Sequence, residues 1–190
     1  VLSAADSELA CLSAARAAQG PDAPTLRLAN LLRLRHNLSV DLYLETVAAK
    51  AKLVVVRLLG GRRYWPYGVD ELVALARQGG PRIALLPGED QPDPELLAAS
   101  TVGAEAHHRL WQYLVQGGIA NAGQFLRFAG ALAGRATDWR EPVPLLRAGL
   151  YWPGMEQPTL DDVRQAWPPG RPVAAILFYR ALVQAAETAD

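Results

Sequence analysis

The stretch Leu53–Gly68, LVVVRLLGGRRYWPYG, gathers the side chains best suited to chemistry: Arg57, Gly60, Gly61, Arg62, Arg63, Tyr64, Trp65 and Tyr67. Guanidinium groups match carboxylates bidentately. The three aromatic rings around Pro66 bring large apolar area with little side-chain entropy to lose. Such a loop serves as a binding rim for a ligand or an adjoining domain. The same residues equally serve a tight turn whose aromatics cap a sheet edge. Glu89 and Asp90 add carboxylates on the loop Gly88–Pro94, either as rim groups or as solvated turn residues. His36, in Arg35-His36-Asn37-Leu38-Ser39, is either a turn histidine or, with Ser39 and Asp41, part of a polar site.

Several chemistries are excluded. The chain has no G-x-x-x-x-G-K-[ST], since Gly60-Gly61 runs into arginines and aromatics, so nucleotide binding through a P-loop is not expected. There is no G-x-G-x-x-G and no G-x-S-x-G elbow. One cysteine and three histidines do not make a closed zinc site. His107 and His108 are adjacent on a predicted helix, so their side chains diverge by about 100° and do not face one metal. Cys11, on an apolar helix face, reads as a small core residue. No catalytic or metal-ligating residue is assigned.

The elements that position these groups alternate. Leu53–Leu58 is an apolar run rich in β-branched residues, the pattern of a central strand buried on both faces. Val1–Ala5, Thr25–Leu28 and Arg82–Leu86 are predicted to join it in one parallel sheet. Helices are predicted over Ser7–Gln19, with Asp6 or Ser7 as N-cap, over Val40–Lys52 capped by Ser39, and over Asp70–Gln78. In the second of these, Leu42, Leu44, Val47 and Ala48 are spaced to cover the sheet. The loops after Leu58 and after Pro87 then share the carboxyl rim, where open α/β sheets bind ligands. The expected architecture is α/β, a parallel sheet flanked by helices in a Rossmann/flavodoxin-like three-layer arrangement. A helical pair follows, Ala104–Gln116 and Ala120–Ala133, after a short helix at Glu95–Ala99.

Boundaries follow composition: residues 1–135 as the α/β domain with its helical pair, 136–171 as a proline-rich connector, and 172–190 as the first strand and helix of a following domain. Thr159-Leu160-Asp161-Asp162 reads as a helix start within the connector. Val1 is not methionine, and both ends read as strand–helix units cut short, so a piece of a longer polypeptide is expected. Nineteen basic residues balance nineteen acidic ones, which argues against a dedicated nucleic-acid or acidic-membrane binder. No apolar run approaches the ~20 residues of a membrane span, and no signal-peptide pattern opens the chain. The lone cysteine fits a reducing compartment, so a cytoplasmic protein is expected.

Taken together, SVDLYLETVAAKAKLVVVRLLGGRRYWPYGVDEL, LPGEDQPDPEL, RLWQYLVQGGIANAGQFL and RPVAAILFYRALVQA resemble the N-terminal region of the large subunit of aerobic cobaltochelatase, the CobN type. That family is related to the large subunit of magnesium chelatase. The resemblance runs through essentially the whole chain. It departs at Asn37-Leu38, where a proline-containing pair often precedes the serine, and at Glu89, where aspartate is common. It implies ATP-dependent insertion of cobalt into a corrin, hydrogenobyrinic acid a,c-diamide, in cobalamin synthesis. ATP-Mg would be bound by separate ATPase-type subunits, and the partners would be those subunits, the corrin and the rest of the large subunit. On this reading Arg57, Arg62 and Arg63 pair with carboxylates fringing the corrin, and Tyr64, Trp65 and Tyr67 meet the ring or an adjoining domain. Two alternatives remain: a non-catalytic docking module of a cobalt or magnesium chelatase, and a freestanding α/β small-molecule binder.

Overall fold

The computed structural model describes residues 1–20, 23–144, 148–155 and 158–177. Two six-residue strands form the centre, β3 (Leu53–Leu58) and β4 (Arg82–Pro87), paired in parallel from Leu53 opposite Arg82 to Leu58 opposite Pro87. Beside β3 lies the short β1 (Leu2–Ser3), then β2 (Ala29–Asn30), giving the order β2-β1-β3-β4, parallel throughout. Leu53–Leu58 is thus interior, as its β-branched run predicts.

Alternation along the strands divides the core in two. Val54, Val56, Leu58, Ile83 and Leu85 face one side, with α2 (Asn37–Thr46), α3 (Pro66–Arg77) and α4 (Pro94–Ala99). Val55, Ala84 and Leu86 face the other, with α1 (Asp6–Ala18) and the pair α5 (Ala104–Gln116) and α6 (Gly118–Leu132). The β1-to-β2 connection runs leftward under one face, and the connections to β3 and β4 run rightward over the other. Right-handed crossovers of opposite direction must lie on opposite faces. The order therefore reverses between β1 and β3.

Most differences from the expected boundaries have local causes. The second strand falls at Ala29–Asn30, after the predicted Thr25–Leu28. The Val1 carbonyl takes the Ala29 amide at 3.1 Å, and the ladder follows from there, while Leu26 and Leu28 pack on the second core without joining it. Of the predicted Val1–Ala5 strand only Leu2–Ser3 pairs, because the Ser3 hydroxyl accepts the Ala5 amide and turns the chain into α1. Ser39 is not the cap of α2; the helix begins at Asn37 with His36 at its N-cap and gives way after Thr46 to a 3₁₀ turn at Ala48–Lys50. Leu42, expected to cover the sheet, is half exposed. Pro66, well suited to a first helical position, starts α3 earlier than Asp70.

Thr159 and Asp162 form a reciprocal capping box that starts α7 (Leu160–Ala166), as the sequence predicts. Residues 172–177 carry no regular secondary structure, so the strand expected there is not seen in them. The helix expected beyond lies outside the described residues. Among the described residues no helix is long and apolar enough to cross a membrane.

Candidate functional site

The carboxyl rim is built by two loops that lock into each other. After β3 the chain turns through Gly60 (φ +79°) and Gly61 (φ +72°) into a 3₁₀ turn, Gly61–Tyr64. Positive φ at successive residues is a conformation for which glycine carries no steric penalty. The Gly88 amide donates to the Leu58 carbonyl at 2.8 Å, and the Glu89 carboxylate accepts the Gly60 amide at 2.6 Å. The Glu89 carbonyl in turn accepts the Trp111 indole N–H at 3.0 Å. Glu89 is therefore a clamp between loops, and Asp90 is exposed beside it.

The three aromatics separate. Trp65 is 6% exposed, sits in the core, and donates from its indole nitrogen to the Leu34 carbonyl at 2.8 Å. It bridges the loops after β2 and β3 and is not part of an exposed rim. Tyr67 donates to Asp41 Oδ1 at 2.7 Å, and this hydrogen bond, with burial second, pushes its phenol up to about 12. Tyr67 is only partly buried, and Tyr64 is the most open of the three, 39% exposed.

The arginines separate too. Arg62 pairs with Asp70 and, at 3.8 Å, with Glu95. Arg63 is exposed. Arg57 follows Val55 in strand parity, so it emerges on the α1 and α5 face, where it pairs with Glu8 and donates to the Leu114 and Gly88 carbonyls. Thus two of the three arginines expected to meet ligand carboxylates already hold carboxylates of this chain. His36 is exposed at the N-cap of α2, where its carbonyl accepts the Ser39 and Val40 amides at 2.9 and 3.1 Å.

A cleft of about 370 Å³ opens where the strand order reverses. Ser3–Ala5 and the first turns of α1 form one wall, Arg57, Leu59 and Gly88 the floor, and the α5–α6 junction the other wall. Tyr64 stands at its mouth. This is the switch-point crevice where open α/β sheets take ligands. Its volume lies in the range of small-molecule sites, about 300–1,000 Å³. A second hollow, about 430 Å³ between α3 and α4, is bordered by Arg62, Asp70, Arg77 and Glu95 and lies off the switch point. Of its two arginines, Arg62 is already paired within the chain.

Sequence reasoning found Arg57, Tyr64 and the rim but missed Glu8 and Ser7, which α1 brings to the cleft, while Cys11 is buried in the core as its helix face predicts. The missed signal was topological: the first βα turn borders any switch point beside β1. Among the described residues no group of three His, Cys, Asp or Glu side chains is placed to hold a metal ion. His107 is buried and His108 exposed, as their adjacency requires.

Comparison with known proteins gives a consistent result. A family model described as CobN/Magnesium Chelatase matches residues 111–190. The aerobic cobaltochelatase subunit CobN of Pseudomonas aeruginosa is 49% identical over the whole of this chain, and that of a Sinorhizobium species is 43% identical over 98% of it. The chain spans 15% of the length of each of these relatives. Among solved structures, the catalytic subunit of cobaltochelatase from Mycobacterium tuberculosis superposes with a TM-score of 0.68 and 29% identity, over 98% of this chain and 14% of that one.

Proposed function

The chain belongs to the CobN/magnesium chelatase family, and from that premise we propose that it is part of the corrin- and metal-binding large subunit of an ATP-dependent cobaltochelatase. The reaction is insertion of cobalt into hydrogenobyrinic acid a,c-diamide in cobalamin synthesis, in the cytoplasm. Separate ATPase-type subunits bind ATP-Mg and drive the step. The observation that carries this reading is the match to CobN over the full chain, with the fold's ligand crevice open beside Tyr64 and Leu59.

In this division of labour the domain is a substrate-positioning part. Metal insertion needs groups that take pyrrole protons and present the metal. We place those groups in the remainder of the subunit, of which this chain spans the equivalent of 15% of the Pseudomonas aeruginosa relative. The rim offers exposed Arg63 and Tyr64 to a planar, carboxylate-fringed macrocycle, with Arg57 and Glu8 deeper in the cleft.

A second reading, a docking module for the ATPase subunits or the subunit body, is favoured by a different observation. Leu38 and Leu42, one turn apart on α2, are 69% and 52% exposed, with Leu32 also exposed nearby in sequence. Corrin titration of the intact large subunit, followed by tryptophan fluorescence, separates the two. Tyr64→Ala weakens corrin binding several-fold if the rim meets substrate. Unchanged corrin affinity together with weakened capture of the ATPase subunits by Leu38→Ser/Leu42→Ser favours docking. Cobalt insertion by the intact subunit with its partners, ATP and the corrin tests the activity itself.

A further inference from the structure

One wall of the switch-point cleft is the α5–α6 junction, carried by Tyr113, Leu114, Gly117, Gly118 and Ala122. It turns on two glycines with positive φ, Gly117 (+68°) and Gly118 (+81°), and open space lies where a Gly118 Cβ would go. Residues 138–143 are anchored on the same two helices. The Tyr113 hydroxyl donates to the Arg140 carbonyl, and the Arg140 amide donates to Gln124 Oε1 at 2.9 Å. Asn121, 4% exposed, ties this strap to the glycine turn. Its Nδ2 donates to the Gly117 carbonyl at 2.8 Å and to the Val143 carbonyl at 2.9 Å, while its Oδ1 accepts the Val143 amide at 2.9 Å. From the floor of the cleft, Arg57 donates to the Leu114 carbonyl at 3.2 Å.

We propose that Asn121 is the positioning residue of the cleft, a latch that joins the α5–α6 wall to the strap 138–143. With the strap seated, the Asn121 side chain is bonded through both its nitrogen and its oxygen, and the Gly117-Gly118 turn is fixed. With the strap lifted, Asn121 loses both bonds to Val143, and the wall loses the anchors that Tyr113 and Gln124 make to Arg140. A buried amide stripped of its partners is costly, so release goes with entry of water and outward movement of the wall. The two glycines absorb the change in backbone angle at little steric cost. Strap and cleft therefore open together. Because the strap begins the proline-rich connector, a displacement of that connector reaches the cleft through Asn121. The inference deepens the reading of the cleft as the ligand crevice and rests on it.

Cys11 reports the opening. It is 7% exposed and packs in one core cluster with Leu114 and Ala122, so its thiol meets a reagent when that wall moves. The test is labelling of the intact large subunit with N-ethylmaleimide, read at Cys11 by peptide mass spectrometry. Val143→Pro, at a half-exposed position, removes the amide that Asn121 accepts. It speeds Cys11 labelling about fivefold, the effect of losing one hydrogen bond. Gln124→Ala, which takes the acceptor from the Arg140 amide, acts in the same direction and serves where Val143→Pro does not fold. Ser100→Ala, beside β4, lowers global stability without touching the latch and leaves the labelling rate within about twofold. That contrast separates movement of the wall from general loosening. Equal acceleration in Ser100→Ala and the latch variants, or labelling unchanged by the latch variants, overturns the proposal. Cobalt insertion is scored separately. Insertion with labelling that ignores the latch defeats this proposal and leaves the function standing; latch-dependent labelling without insertion does the reverse.

Discussion

His107 Nε2 lies 2.6 Å from the Leu85 carbonyl oxygen, and with that contact the outer edge of the sheet is closed. The Ser100 hydroxyl accepts the Leu85 amide at 2.9 Å, the Thr101 hydroxyl accepts the Ile83 amide at 2.7 Å, and the Thr101 amide returns to the Ile83 carbonyl at 2.9 Å. Side chains and the Thr101 and Val102 backbone amides thus stand in for a fifth strand along β4. An edge left open would template pairing with other chains.

The first prediction concerns pH. Burial is the main cause that holds His107 below its ordinary 6.5, outweighing its backbone hydrogen bond to Leu85. The folded state therefore binds its proton less readily than the unfolded chain. The associated stability is complete above pH 6.5 and is lost as pH falls from 6.5 through the lower folded value. Urea unfolding at pH 7.5 and pH 5 shows this loss in the wild type and a smaller one in His107→Gln. An equal loss in both proteins contradicts it.

A second prediction tests the edge itself. Thr101→Val and Ser100→Ala each remove the acceptor of an outward β4 amide, costing about 1–3 kcal/mol apiece. The double variant also exposes adjacent ladder positions. Sedimentation at rising concentration detects self-association in the double variant and none in the wild type. A monomeric, fully stable double variant refutes the edge-capping role.

The third prediction separates neighbouring aromatics. Trp65→Ala removes a ring that is 6% exposed and strands the Leu34 carbonyl, so it costs about 3–5 kcal/mol. Gly68 shares this fate, because a Cβ there would lie 2.1 Å from the Trp65 ring. Tyr64→Ala, at 39% exposure, changes stability by about 1 kcal/mol or less. Denaturant midpoints of the three variants decide the ranking.

The architecture was legible where patterns were unambiguous. The β-branched run at Leu53–Leu58 and the glycine-punctuated α5 and α6 could be read directly, because strand burial and helix periodicity are local signals. β1 and β2 are two-residue ladders, too short to carry a pattern, and their register depends on Val1 meeting Ala29. The rim was legible as a place but not as a set of contacts. Trp65 and Tyr64 are adjacent in sequence, and nothing local tells which one turns inward. That depends on Leu34 and Gly68 arriving from either side. Glu8 has no local signal; it meets Arg57 only once α1 packs beside α6 on that face of the sheet.

The fourth prediction concerns residues 138–143. Arg109 grips the Glu141 carboxylate with two hydrogen bonds of 2.8 Å and stacks 4.7 Å from the Trp139 ring centre and 5.2 Å from that of Phe128. The Asn121 amide pairs with both the amide and the carbonyl of Val143, each at 2.9 Å. The Arg109 hydrogen bond holds the Glu141 carboxyl below its usual 4.5. The strap is therefore intact above that pH and loosens as acid protonates Glu141 through its lowered value. Arg109→Lys keeps the charge but loses the planar fork and stacking. Limited trypsinolysis at Arg140 accelerates in that variant at neutral pH, and an unchanged cleavage rate rules the strap out.

The last prediction sets two glycines of the rim against each other. Gly60 has φ +79° with open space where a Cβ would go, so Gly60→Ala meets only the left-handed penalty, about 1–2 kcal/mol. Gly88 has no such conformation, yet a Cβ there would lie 2.7 Å from the Leu59 Cα, which is backbone and cannot swing aside. Gly88 also donates its amide to Leu58 and accepts Arg57 Nη2 on its carbonyl. Pushing it away disturbs the β3–β4 join and the ion pair in one step. Gly88→Ala is thus the more damaging change despite its ordinary backbone angles. It lowers the unfolding midpoint further than Gly60→Ala, as urea melts of the two variants side by side show. A Gly60→Ala variant less stable than Gly88→Ala would show that loop conformation, not loop-to-loop packing, sets the geometry of the cleft.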